Sequence, residues 1–120
     1  MKYLLIIASD PTLPSPEPGD ADFDAYMGAW FAYTQALEEA GALAGGEALQ
    51  SADTATTVRH AGDGTTSLVD GPFAELKEHI GGYYLIDVDT LDDALEWARR
   101  LPVGEGAVEV RPIFPTDMPE

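Results

Sequence analysis

Two short runs constrain this chain more than anything else in it. Lys2 to Ala8 and Gly82 to Val88 are rich in aliphatic, β-branched and aromatic residues, and both are apolar on both faces. In the second run Tyr83 and Leu85 alternate with Tyr84 and Ile86. A strand of this kind needs a cover on each side. Only two long segments read as helices, and two helices cover one face of a small sheet. The other face must be covered from outside the chain. A second copy is the simplest cover, so a homodimer with its sheets packed face to face is expected.

The first helix is marked by Phe23, Tyr26, Met27, Trp30, Tyr33 or Thr34, and Leu37 at helical spacing, with Asp20 or Asp22 to cap it and Gly41 after its end. Its aromatic row reads as core. The second helix opens on Thr90-Leu91-Asp92-Asp93, a capping box with Asp in place of Glu. Leu91, Ala94, Leu95, Ala98 and Leu101 form its apolar stripe, Arg99 and Arg100 suit the negative end of its dipole, and Pro102 stops it. Gly45 to Leu49 reads as a short strand. Thr54 to His60 and Thr65 to Asp70 read as a hairpin turning at Gly62-Asp63-Gly64. The closing strand, Val108 to Ile113, sets Val108 and Val110 against Glu109 and Arg111. Residues 10–19 hold four prolines and read as a loop with polyproline character, long enough to act as a flap. The plan is α+β: a ferredoxin-like βαββαβ order with an extra hairpin. The length fits one domain over residues 1–120, with a frayed tail at 115–120.

The charge removes several function classes. Six Lys and Arg face 22 Asp and Glu, a net charge of −16. It is spread evenly, with nine acids against one base up to residue 58 and 13 against five beyond it. Such a surface repels nucleic acid and anionic membranes, so neither is an expected partner. Its plain use is solubility, and it also suits a basic protein partner. There is no cysteine, which excludes disulfides, thiolate metal sites and a cysteine nucleophile. The N-terminal apolar run is too short for a signal peptide and no run is long enough to span a bilayer, so a cytoplasmic protein is expected. Gly45-Gly46 and Gly81-Gly82 lack the context of a phosphate loop, and no cofactor or metal is expected.

The most unusual stretch is Asp70-Gly71-Pro72-Phe73-Ala74-Glu75. Architecture accounts for its residue types: Pro72 keeps Gly71 out of helical geometry, Pro suits a first helical turn, Asp70 caps it and Glu75 suits its dipole. The functional alternative sets Asp70 and Glu75 beside Lys77 at a cavity mouth, as two carboxylates and a cation around a small polar ligand, with a carboxylate as general base. Glu109 and Arg111 share one strand face and are further candidates, because a desolvated Arg binds carboxylates through two parallel hydrogen bonds. They equally suit an ion pair at a subunit interface. Glu47, Arg59, Phe73 and Tyr83 complete the ligand-binding candidates. His60 and His79 are the only histidines. His79 lies four residues after Glu75, and two ligands do not make a metal site.

The Asp70-to-Glu75 motif, with Met1-Lys2-Tyr3, Thr54-Ala55-Thr56-Thr57-Val58-Arg59, Gly81-Gly82-Tyr83, Leu91-Asp92-Asp93-Ala94, Trp97-Ala98 and Val108-Glu109-Val110-Arg111-Pro112, resembles the DGPF branch of the YCII-related (YciI-like) proteins along nearly the whole chain. The resemblance implies a ferredoxin-like fold in a dimeric α+β barrel. It implies no fixed activity. Broader relatives have a proposed His–Asp site, and DGPF-type proteins are associated with extracytoplasmic-function sigma factors. Here Leu76 stands where the family usually has Thr or Ser, and neither histidine falls at a position the family fixes. Two readings follow. One is a homodimer that binds a small polar metabolite near the Asp70–Phe73 turn, in its catalytic form a cofactor-less enzyme. The other is a non-catalytic regulatory protein linked to such a sigma factor.

Overall fold

A computed structural model of the chain describes residues 1–73 and 78–115. The elements are strand β1 (Lys2–Ser9), helix α1 (Phe23–Glu39), strand β2 (Leu43–Ala48), a single 3₁₀ turn at Ala52–Thr54, strands β3 (Thr56–His60), β4 (Thr66–Asp70) and β5 (His79–Asp87), helix α2 (Leu91–Arg99) and strand β6 (Gly106–Pro112). Four strands form one sheet in the order β2-β5-β1-β6, and every neighbouring pair is antiparallel. The architecture is mixed α+β, and this order is consistent with the ferredoxin-like plan read from the sequence. The hairpin β3-β4 is a separate two-stranded sheet inserted between β2 and β5.

Both helices lie on one face of the sheet, and the core forms between them. Tyr3 and Leu5 of β1 and Ile86 of β5 meet Tyr33 and Leu37 of α1 and Ala94 of α2. Leu5, Leu37 and Ile86 are wholly buried, and each stabilises the fold by about 1.5–3 kcal/mol relative to an exposed side chain. The Tyr33 hydroxyl donates to the Trp97 carbonyl at 2.9 Å and so ties α1 to α2. Thr34 and Tyr84 share a hydroxyl hydrogen bond at 2.6 Å.

Several local expectations change. Leu91 is 49% exposed and does not join the α2 stripe, while Trp97 packs against the core. The Thr90 cap forms, its hydroxyl accepting from the Asp93 amide at 3.1 Å. At α1 the N-cap position is Asp22, which makes no side-chain cap bond, and Asp20 instead accepts from the Glu17 amide in the preceding loop. β5 begins three residues early because β1 is long enough to pair with it as far as Ser9–His79. Gly81 is left out of that register between Gly82 and Ile80, a bulge. The glycine pairs hold β2 and β5 close: a Cβ on Gly82 would lie 2.8 Å from the Glu47 carbonyl oxygen, and one on Gly46 would lie 2.9 Å from that of Tyr83. The tail at 116–120 lies outside the described residues.

Candidate functional site

The sheet face away from the helices carries the candidates on the main sheet. Cross-strand pairs share a face, so the register sets out two rows across four strands. One row runs Arg111, Leu4, Leu85, Gly45, and the next runs Glu109, Ile6, Tyr83, Glu47. Two aliphatic residues of β1 and Leu85 make an apolar floor, with polar groups along both flanks. Arg111 and Glu109 are joined by an ion pair. Leu4, Ile6, Tyr83 and Leu85 are half-buried, while Glu47, Glu109 and Arg111 are exposed. Ile80, opposite Ala8 and 52% exposed, extends the same face past the bulge and was not singled out by sequence reasoning. Only the pairing register reveals it.

The remaining candidates belong to the hairpin. Asp70 ends β4 opposite Thr56 and is exposed, its carboxylate making no hydrogen bond to the described residues. Gly71 follows with φ +97°, in the region that favours glycine. Its amide donates to the Ala55 carbonyl at 2.7 Å, and its carbonyl accepts from the Thr57 hydroxyl at 2.7 Å. These two bonds clamp the turn to the root of the hairpin. Phe73 is 73% exposed, with the Arg59 guanidinium 5.3 Å from its ring centre. Glu75 and Lys77, and the short helix expected around them, lie outside the described residues. The structure thus sorts the described candidates into two groups: Glu47, Tyr83, Glu109 and Arg111 on the sheet face, and Arg59, Asp70 and Phe73 on the hairpin and its turn.

A hollow of about 450 Å³ lies elsewhere, at the far end of β5 on the α2 side, lined in part by Asp87, Asp93, Glu96, Trp97 and Arg100. It is open and rich in carboxylates. Asp87 is held there by the N-terminal ammonium at 3.0 Å, and Arg100 stacks on Trp97 at 4.2 Å. The Asp87 pair and the Arg100 stacking hold two of its charged groups in place. Among the described residues no group of three or more His, Asp or Glu could hold a metal ion, and no helix is long and apolar enough to cross a membrane.

A family model for the YCII-related domain matches residues 1–117. An uncharacterised protein of Rhizobium meliloti (strain 1021) is 37% identical over 116 residues, covering 94% of this chain and 92% of that protein.

Proposed function

This chain belongs to the YCII-related domain family, and on that premise we propose that it works as a homodimer binding a small polar metabolite between its sheet face and the Asp70–Phe73 turn. The observation that carries this reading is the pair of cross-sheet rows, an apolar floor flanked by Arg111, Glu109, Glu47 and Tyr83 on the face away from both helices, which no other element of the described residues covers. Packing two such faces together buries the aliphatic floor and closes a polar space above it, the dimeric α+β barrel that the resemblance implies. Closure removes water from around Arg111, and a desolvated guanidinium grips a carboxylate more strongly than an exposed one. In the catalytic form of this reading, Asp70 or Glu75 takes a proton from the bound molecule as general base, and no cofactor is needed. The second reading, a regulatory protein linked to an extracytoplasmic-function sigma factor, draws on the exposed carboxylates Asp92, Asp93 and Glu96 of α2. They offer a basic partner an acidic helix face.

Thermal unfolding at fixed protein concentration, with succinate and a panel of small hydroxy acids at millimolar levels, separates these readings. The expected result is a rise in melting temperature with at least one acid, lost in Arg111→Gln, because a ligand that binds only the folded state stabilises it by mass action. If no acid moves the melting temperature, the ligand reading fails.

A further inference from the structure

Among the described residues nothing forms a floor under the hairpin β3-β4. Every residue from Val58 to Asp70 is exposed. Val58 and Leu68 face each other across the ladder at 51% and 74% exposure, and Val69 is 42% exposed on the opposite side. An isolated two-stranded hairpin is marginal in water, and an exposed aliphatic pair on it marks a contact surface. The hairpin does not fold back over its own sheet. Stacked layers lie about 10 Å apart, so a helix layer, a sheet and a hairpin on the free face would need about 20 Å or more. The molecule is 18 Å through its thinnest direction and 48 × 46 Å across. Its radius of gyration is 16.8 Å, against roughly 14 Å for a compact chain of this length. The hairpin therefore overhangs the body as an arm.

The geometry points to a second copy of this chain as what the arm grips. Among the described residues the sheet face has no cover and the arm has no floor; when two sheet faces pack together, each overhanging arm passes the edge of its own sheet and lies against the partner, and a two-fold axis makes the two contacts reciprocal. Charge selects the same partner. From Thr56 to Asp70 the hairpin carries one Arg and two Asp, while the other residues hold −15 of the net −16. The arm thus adds little like-charge repulsion when it touches another copy. Arg59 has no ion pair among the described residues, and it meets an acidic surface on any second copy. In this arrangement each arm lays Val58 and Leu68 along its partner and brings Arg59 to the rim of the partner's polar face, so that each candidate site draws residues from both chains. The inference rests on the dimer reading above and adds the arm to it.

The test uses the full chain and its lack of cysteine. Sedimentation equilibrium compares wild type, the arm variant Val58→Ser/Leu68→Ser and the sheet-face variant Leu85→Glu, each checked by circular dichroism. Leu68→Cys, labelled with a benzophenone maleimide and irradiated, reads the contact directly. The expected result is a wild-type dimer, at least tenfold weaker dimerisation in the arm variant, and a covalent dimer from the photolabel. An unchanged dissociation constant in the arm variant and no photodimer overturn the arm while leaving the sheet-face dimer standing. A dimer that survives Leu85→Glu but not the arm variant keeps the arm and rejects face-to-face packing. A monomeric wild type at 100 μM, a concentration chosen at about the weak end of specific association, overturns both.

Discussion

Tyr33 sits almost wholly inside the core with its hydroxyl on the Trp97 carbonyl, its ring set edge-on to Tyr84 and Trp97 at 5.3 and 5.8 Å. Burial, with a smaller push from Tyr84 and a slight pull from Arg100, raises its phenol well above the ordinary value near 10. The folded state therefore keeps a proton that the unfolded chain releases above about pH 10. The associated stability is complete below that value and drains away as pH rises beyond it. Urea midpoints measured from pH 8 to pH 11.5 should fall above pH 10, and fall less steeply in Tyr33→Phe. That variant should also lose about 1 kcal/mol at pH 8 with its hydrogen bond. An equally steep fall in the variant would mean that Tyr33 is not its source. The sequence marks Tyr33 as core by helical spacing. Its partner Trp97 stands 64 residues away, and no local pattern announces that bond. Gly82 is similar. Its strand is legible, but the reason for glycine is a carbonyl on another strand.

Elements follow the same rule, legible where they are decided locally. The Thr90 half of the capping box needs only Thr90 and Asp93, three residues apart, and it forms; the return bond from the Asp93 carboxylate to the Thr90 amide does not. Thr90→Ala should lower stability by about 1 kcal/mol, while Thr90→Ser, which keeps the acceptor, should lower it by less. Equal losses in chemical denaturation would mean that the threonine methyl, not the oxygen, matters. The start of α1 has no comparable bond because Asp20 is already engaged with the Glu17 amide in a turn of its own. The two-faced apolar runs became central strands, β5 and β1, flanked by β2 and β6. Alternation of Val108 and Val110 with Glu109 and Arg111 put the last pair on one face, as read, and the pairing makes that the face away from the helices. What the sequence could not supply was the row order across strands that brings Glu109 level with Tyr83 and Glu47. Register belongs to pairs of strands, and one strand's pattern does not contain it.

At the scale of the whole molecule two features oppose each other. A flat body with an uncovered face and an overhanging arm favours association, while −16 on each copy opposes it. The repulsion is long-ranged and acts between surface charges, so it weakens once the screening length falls below about 10 Å, near 0.1 M salt. Burial of Leu4, Ile6, Leu85, Val58 and Leu68 depends on apolar area and is not weakened by that screening. Raising NaCl from about 0.02 to about 0.5 M should therefore tighten the proposed dimer and raise the melting temperature together. Sedimentation and thermal unfolding across that range check both. If salt loosens the dimer instead, ion pairs such as those of Arg59 or Arg111 with a partner's carboxylates outweigh the net repulsion. The apolar rows would then be the lesser part of the interface.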